Sequence, residues 1–274
     1  MRAVDERAWG AGRLSRGLGD WLVRWAHLGE ETARHAGELA TLLVRVVTET
    51  ARGRVPLRRI VEEMQWMGLR SVPIVLVTAT LSGVVTSQQG GYQFTGAVPL
   101  YVLGSVFASS VILELAPVLT AIVLIGRVGA RITAELGTMK VSEQIDALYS
   151  LGRDPVPVLV APRVVAGVVV VPVLVAIADV VGLFAGMFAA RATVGLGPEA
   201  FFYGARLYWH NWDLFYSLMK GVVFGLVIPL VATHMGLRTR GGAEGVGKAT
   251  TSAVMFMTLA VLILDALFPP LFLN

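Results

Sequence analysis

The chain has 274 residues, 55% hydrophobic and only 15% charged, with a mean hydropathy of +0.69; soluble domains carry about 25% charged residues. That deficit, together with several apolar runs of about 20 residues, excludes an ordinary soluble protein and marks an integral membrane protein. The net charge of +4 does not indicate nucleic acid, because the basic residues cluster at the ends of apolar runs, and the absence of cysteine excludes disulfides and thiolate metal sites.

The first residues are charged and no apolar core precedes Trp21, so no signal peptide is expected at the start. From Leu18 to Val47 the pattern is amphipathic rather than spanning. Leu18, Trp21, Leu22, Trp25 and Leu28 recur at helical spacing, and Leu39, Leu42, Leu43, Val46 and Val47 repeat the pattern. Arg16, Arg24, Arg34 and Arg45 occupy the other positions. Tryptophans on one side and arginines on the other suit a helix lying in the membrane interface. The same pattern also fits a helix packed on a soluble partner. Residues 1–60 form an N-terminal cytoplasmic or interfacial region, ended by the basic turn Arg52 to Arg59, and residues 61–274 form the membrane domain.

Five spans are expected: Trp66 to Gln88, Pro99 to Ile125, Val164 to Ala190, Leu214 to His234 and Val254 to Leu273. The link after the first, Gln88 to Val98, has no Lys or Arg. The link after the second has Arg127, Arg131, Lys140, Arg153 and Arg163, and the link after the fourth has Arg238, Arg240 and Lys248. The positive-inside rule therefore puts the N-terminus and these two basic links in the cytoplasm, and the C-terminus outside. The aromatic stretch Phe201 to Trp212 reads as an interfacial helix on the outer side.

Between the second and third spans, Ile132 to Pro155 is polar and partly amphipathic, so it must lie in water at one membrane face. Ser142 is the expected N-cap of a short helix, Gly152 its stop, and Pro155 prevents continuation. Ile145, Leu148 and Leu151 form an apolar stripe, with Glu143, Gln144, Asp146 and Ser150 mostly elsewhere. Such a helix, held between two spans, is suited to docking into a groove on a soluble partner. Further on, Gly242-Ala-Glu-Gly-Val-Gly-Lys248 resembles a nucleotide-binding loop. Ala249 stands where Ser or Thr would hold magnesium, and an apolar span precedes the loop instead of a strand. A flexible glycine-rich cytoplasmic turn is expected there.

Three carboxylates fall inside spans: Glu114, Asp179 and Asp265. Intramembrane carboxylates are costly and face a cavity or a partner, or tie helices together. Glu114 lies beside helix-distorting Pro117. Gln88, Gln89, Tyr92 and Gln93 end the first span, where they could hydrogen-bond lipid headgroups or form an ordinary polar turn. Arg127 and Arg131 suit anchoring to lipid phosphate.

Several separated motifs, in order, carry a resemblance: Gly68-Leu-Arg-Ser-Val-Pro-Ile74, Gln89-Gly-Gly-Tyr-Gln93, Glu114-Leu-Ala-Pro-Val-Leu-Thr120, Gly126-Arg-Val-Gly-Ala130, Glu135 to Leu148, Pro162-Arg163 and Glu244 to Thr250. Over about Gln65 to Phe272 the chain resembles the MlaE/YrbE permeases, the membrane subunits of ABC systems that move lipids across the bacterial envelope. The resemblance implies an all-α homodimer of five-span subunits in the inner membrane, each with an N-terminal interfacial helix. It implies a separate ABC ATPase held by the cytoplasmic helix that includes Glu143, Gln144, Ile145, Asp146, Ala147 and Leu148. It also implies a periplasmic MCE-domain protein and a phospholipid substrate, with Gln89, Tyr92 and Glu114 as candidate lipid contacts. No cofactor is expected on this chain; ATP and magnesium belong to the ATPase. The family commonly shows Arg-Glu-Leu-Gly-Pro in the second span, where this chain has Leu113-Glu-Leu-Ala-Pro117. Glu114 is therefore expected to lack a neighbouring charge.

A competing reading is an ion-coupled secondary transporter working through Glu114, Asp179 and Asp265. Such folds are built from internal repeats, and none is visible here. A non-transporting membrane scaffold is a third reading.

Overall fold

The computed structural model describes residues 34–93, 99–207 and 209–272. The chain divides into two units, residues 1–44 and 45–274. Of the expected N-terminal amphipathic helix, residues 18–33 lie outside the described part; residues 34–51 (α1) are helical.

The rest follows the expected spans with longer helices and no strand among the described residues. Helices α2 (Leu57–Leu69) and α3 (Val72–Gln93) together form the first span, Leu57–Gln93. The second, Tyr101–Val141, comprises α4 (Tyr101–Ser110), α5 (Ala116–Leu124) and α6 (Ala130–Val141). Five-residue π-helical turns, Val111–Leu115 and Ile125–Gly129, join these three segments. Helix α7 (Gln144–Ser150) follows, then a π-turn at Val156–Val160 that leads into α8 (Ala161–Val194). Helix α9 (Pro198–Leu207) precedes the last two spans, α10 (Asn211–Leu237) and α11 (Gly242–Phe272). Helices are the expected solution, because backbone groups surrounded by lipid must be satisfied within their own segment.

Helix α8 is the central element, packed on α2, α3 and α10, while α10 also packs on α6 and α11. Apolar burial contributes little between helices surrounded by lipid, so close packing must hold them together. Glycines permit it. A Cβ on Gly225 of α10 would collide with the carbonyl oxygen of Gly167 on α8, and one on Gly83 of α3 with that of Gly182. Gly68 lies beside Val170, Gly83 beside Gly182 and Gly91 beside Val194, so α2–α3 and α8 run parallel. Leu103, Phe107, Met187 and Phe201 fill the space between α4, α8 and α9.

One expectation is corrected at the start of α11. Gly242 to Lys248 is no flexible turn but the first two turns of that helix. Only residues 238–241 separate it from α10. Gly241 and Gly242, at φ 88° and 69°, make the reversal, and Lys248 then reaches back to Glu244 at 2.6 Å. A helix begun this way has no loop to wrap a phosphate.

Candidate functional site

The chemistry inside the spans converges on one cation. Lys220, on α10, is fully buried. Its Nζ lies 2.7 Å from Glu114 Oε2 on the second span and 2.7 Å from Asp265 Oδ1 on α11. It also donates to the carbonyl oxygen of Leu113 at 2.9 Å. That carbonyl is available for a local reason. Pro117 has no N–H to offer the residue four positions back, and the π-turn Val111–Leu115 is the local adjustment. The break in the helix ladder thus supplies a third acceptor for the ammonium. The rings of Tyr216 and Phe268 complete the surroundings, with centroids 4.9 and 5.9 Å from Nζ, within cation–π range.

This arrangement corrects the expectation that Glu114 lacks a neighbouring charge. The charge comes from span four rather than from position 113. Two carboxylates share one ammonium, and the side chain of Glu114 remains 42% exposed while that of Lys220 is fully enclosed. Glu114 is therefore the open face of the cluster. One turn from Lys220, Ser217 donates to Asp179 Oδ2 at 2.8 Å and ties α10 to α8. Asp179 is a helix tie in this structure.

A second ionic group lies at the end of the molecule that carries α7. Arg163, on α8 and almost fully buried, lies 3.1 Å from Glu63 on α2 and donates to Glu135 on α6 at 2.9 Å. It also donates to the carbonyl of Leu159 at 2.8 Å. Arg131 stacks on Trp66, its guanidinium carbon 3.4 Å from the ring centroid. The protein thus engages Arg131, expected to anchor phosphate, by stacking, while Arg127 remains exposed.

The short helix expected between spans two and three exists, Gln144–Ser150, but its details differ from expectation. Ser142 is not its N-cap. The serine hydroxyl and N–H both donate to Thr138, ending α6. Glu143 takes the turn instead, at φ 61°. A non-glycine residue held there costs about 1–3 kcal/mol and persists where its surroundings dictate it. Gly152, at φ 70°, stops the helix as expected. Lys140 Nζ donates to both carboxylate oxygens of Asp146, at 2.8 and 3.0 Å, strapping α7 to α6. Arg45 donates to Asp154 just beyond it.

The apolar stripe of this segment splits. Ile145 is 2% exposed and packs within its own chain, and Leu148 is half-buried. The side chains offered outward are Tyr149 at 57% and Leu151 at 76%, together with Glu143, Gln144, Asp146 and Ala147. Ile145 is therefore an anchor of the helix, unavailable to a partner's groove.

Gln89 and exposed Tyr92 end α3. Glu114 lies thirteen residues into the second span, which begins at Tyr101, or roughly 20 Å at 1.5 Å per residue. The structure does not gather these three expected lipid contacts into one site. It gathers Glu114 with Lys220 and Asp265. Lys220 is hidden in the sequence because a lysine eight residues beyond the aromatic stretch Phe201 to Trp212 looks like the flank of a loop.

These features define a class: a multi-pass helical membrane protein with an ion cluster inside its spans and a short helix strapped to the second span at one end. The chain belongs to the MlaE permease family, whose model matches residues 60–270. A probable ABC transporter permease protein of Synechocystis is 39% identical over 219 residues, covering 80% of this chain and 83% of that one. Another from Rickettsia prowazekii is 34% identical over 255 residues, covering 92% and 98%. The chloroplast protein TRIGALACTOSYLDIACYLGLYCEROL 1 of Arabidopsis thaliana is 34% identical over 221 residues, covering 81% and 63%. The chain is thus an ABC transporter permease, a transmembrane subunit, which implies an ATPase partner and sets aside the ion-coupled reading.

Proposed function

We propose that this permease moves a phospholipid or related lipid between the inner membrane and a periplasmic MCE-domain carrier, working as a homodimer driven by its ATPase. The observation that carries this reading is the half-open Glu114 carboxylate beside enclosed Lys220. A carboxylate turned to hydrocarbon is expensive, so its open side belongs in a polar or wet cavity. A second copy of the chain closes such a cavity, where a headgroup can meet Glu114 while acyl chains meet apolar walls. The lipid named in the plant relative's own name supports this substrate class.

The basic residues after the second and fourth spans support a cytoplasmic α7 end and a periplasmic C-terminus. Tyr149 and Leu151 then face the ATPase. A push on α7 is transmitted through the Lys140–Asp146 strap into α6, and along the same span to Glu114. The two π-turns in that span are the points where it can yield, since such turns recur at functional sites.

The test is Glu114→Ala in the reconstituted complex. Lipid movement falls while expression, dimer crosslinking and basal ATPase activity hold. Normal transport by this variant would remove Glu114 from the path.

A further inference from the structure

A second apolar feature lies away from the ion cluster. Helices α2 and α8, with the start of α3, wall an open cleft of about 460 Å³, within the range of about 300–1,000 Å³ typical of small-molecule sites. Val61, Met64, Leu69, Val169 and Val173 line it, and Gln65 is its one polar side chain. Val61, Leu69, Val169 and Val173 are all strongly exposed.

We propose that this cleft holds one acyl chain of an anionic phospholipid from the cytoplasmic leaflet, with the phosphate against Arg58 and Arg59. The proposal rests on the membrane orientation argued above. Three observations select this occupant. Both walls belong to helices that carry a membrane-spanning window, Leu57–Gln93 and Val156–Val194, so the cleft runs from the membrane border at Val61 toward hydrocarbon at Val72 and Val173. From Val61 to Val72 the lining runs roughly 16 Å along the helix at 1.5 Å per residue, about half of a ~30 Å hydrocarbon core and so the depth of one leaflet. Finally, the charge at the foot of the cleft is complementary. The first turn of α2 carries Arg58 and Arg59 and no acidic residue, and Arg58 lies three residues before Val61 on the same helix face.

The carboxylates nearby leave room for a phosphate. Glu62 pairs with Arg58 at 2.9 Å, both side chains exposed, a pairing weak enough to exchange. Glu63 is turned to Arg163 on α8. The proposed dimer cavity is a separate place, since Glu114 is held from α10 and α11 and the cleft is walled by α2 and α8.

The full chain is reconstituted in phosphatidylethanolamine vesicles doped with phosphatidylglycerol bearing a diazirine in mid-chain, illuminated, and mapped by peptide mass spectrometry. Val77, Leu81 and Val85 on α3, equally exposed, report ordinary bilayer contact. Adducts on residues 61–72 and 169–177 should exceed those on these controls by at least about fivefold, roughly 1 kcal/mol of preference. Val173→Trp, which fills an exposed part of the cleft, should remove that excess and leave the controls unchanged. Arg58→Gln with Arg59→Gln should lower labelling by the phosphatidylglycerol probe but not by its phosphatidylcholine counterpart. Labelling no higher than at the controls, an excess that survives Val173→Trp, or crosslinks from the cleft to a second copy of the chain would each overturn the proposal. The readout needs neither ATP nor transport, so its failure is distinct from normal transport by Glu114→Ala.

Discussion

Replacing Lys220 by Met tests whether the intramembrane cluster is held by its one cation. The substitution removes an ammonium that lies 2.7 Å from each of two carboxylates and that donates to the Leu113 carbonyl. Removing one partner of a buried ion pair costs about 3–5 kcal/mol, and an orphaned buried acceptor adds about 1–3 kcal/mol. Glu114 is 42% exposed and can relax toward water in a cavity, which draws the total toward the lower end, about 4 kcal/mol. Neutralising the carboxylates reverses the sign of the problem. Lys220→Met combined with Glu114→Gln and Asp265→Asn leaves no uncompensated charge and should recover stability to within about 1 kcal/mol of the parent. Equilibrium unfolding in mixed micelles, followed by tryptophan fluorescence, measures both variants. A Lys220→Met protein as stable as the parent, or a triple variant no better than Lys220→Met, would refute the reasoning.

Three further outcomes are expected. Tyr149→Ala with Leu151→Ala should weaken ATPase association at least tenfold, about 1.4 kcal/mol, in pull-downs; Ile145→Ala should instead destabilise the α6–α7 hook by about 2–5 kcal/mol, the cost of emptying a packed site, seen as faster local hydrogen exchange. Gly225→Val should separate α10 from α8, because its side chain meets the Gly167 carbonyl, and should lower folded yield far more than Gly126→Ala, where a Cβ meets nothing within 4 Å.

The spans were legible because composition alone reports them: about 20 apolar residues have few other fates. Glu114 and Asp265 were legible as costly groups in apolar surroundings, and Pro117 as a distortion beside one of them. Lys220 was not, since a lysine near the end of a span is expected to extend its ammonium to the interface. Its burial depends on two carboxylates and a freed carbonyl brought from distant parts of the chain. The short helix after α6 was legible in place and in its Gly152 stop. Its start was not, because Ser142 offers a hydroxyl that can cap the next helix or end the previous one, and it ends the previous one. Which side of the stripe faced outward was equally hidden, as Ile145 and Leu151 are alike in hydrophobicity and differ only in what packs against them. The glycines from Gly241 to Gly247 read as a loop by composition. Only Gly241 and Gly242 take positive φ, and the helix runs through the others.

The most direct test of the account is lipid transfer by the purified permease and its ATPase in vesicles containing fluorescent phospholipid, with an MCE-domain acceptor outside. Transfer should require ATP, be lost when the permease is omitted, and fall sharply in Glu114→Ala while hydrolysis continues. Robust ATP hydrolysis by the assembled complex with no movement of phospholipid or any related lipid would contradict it.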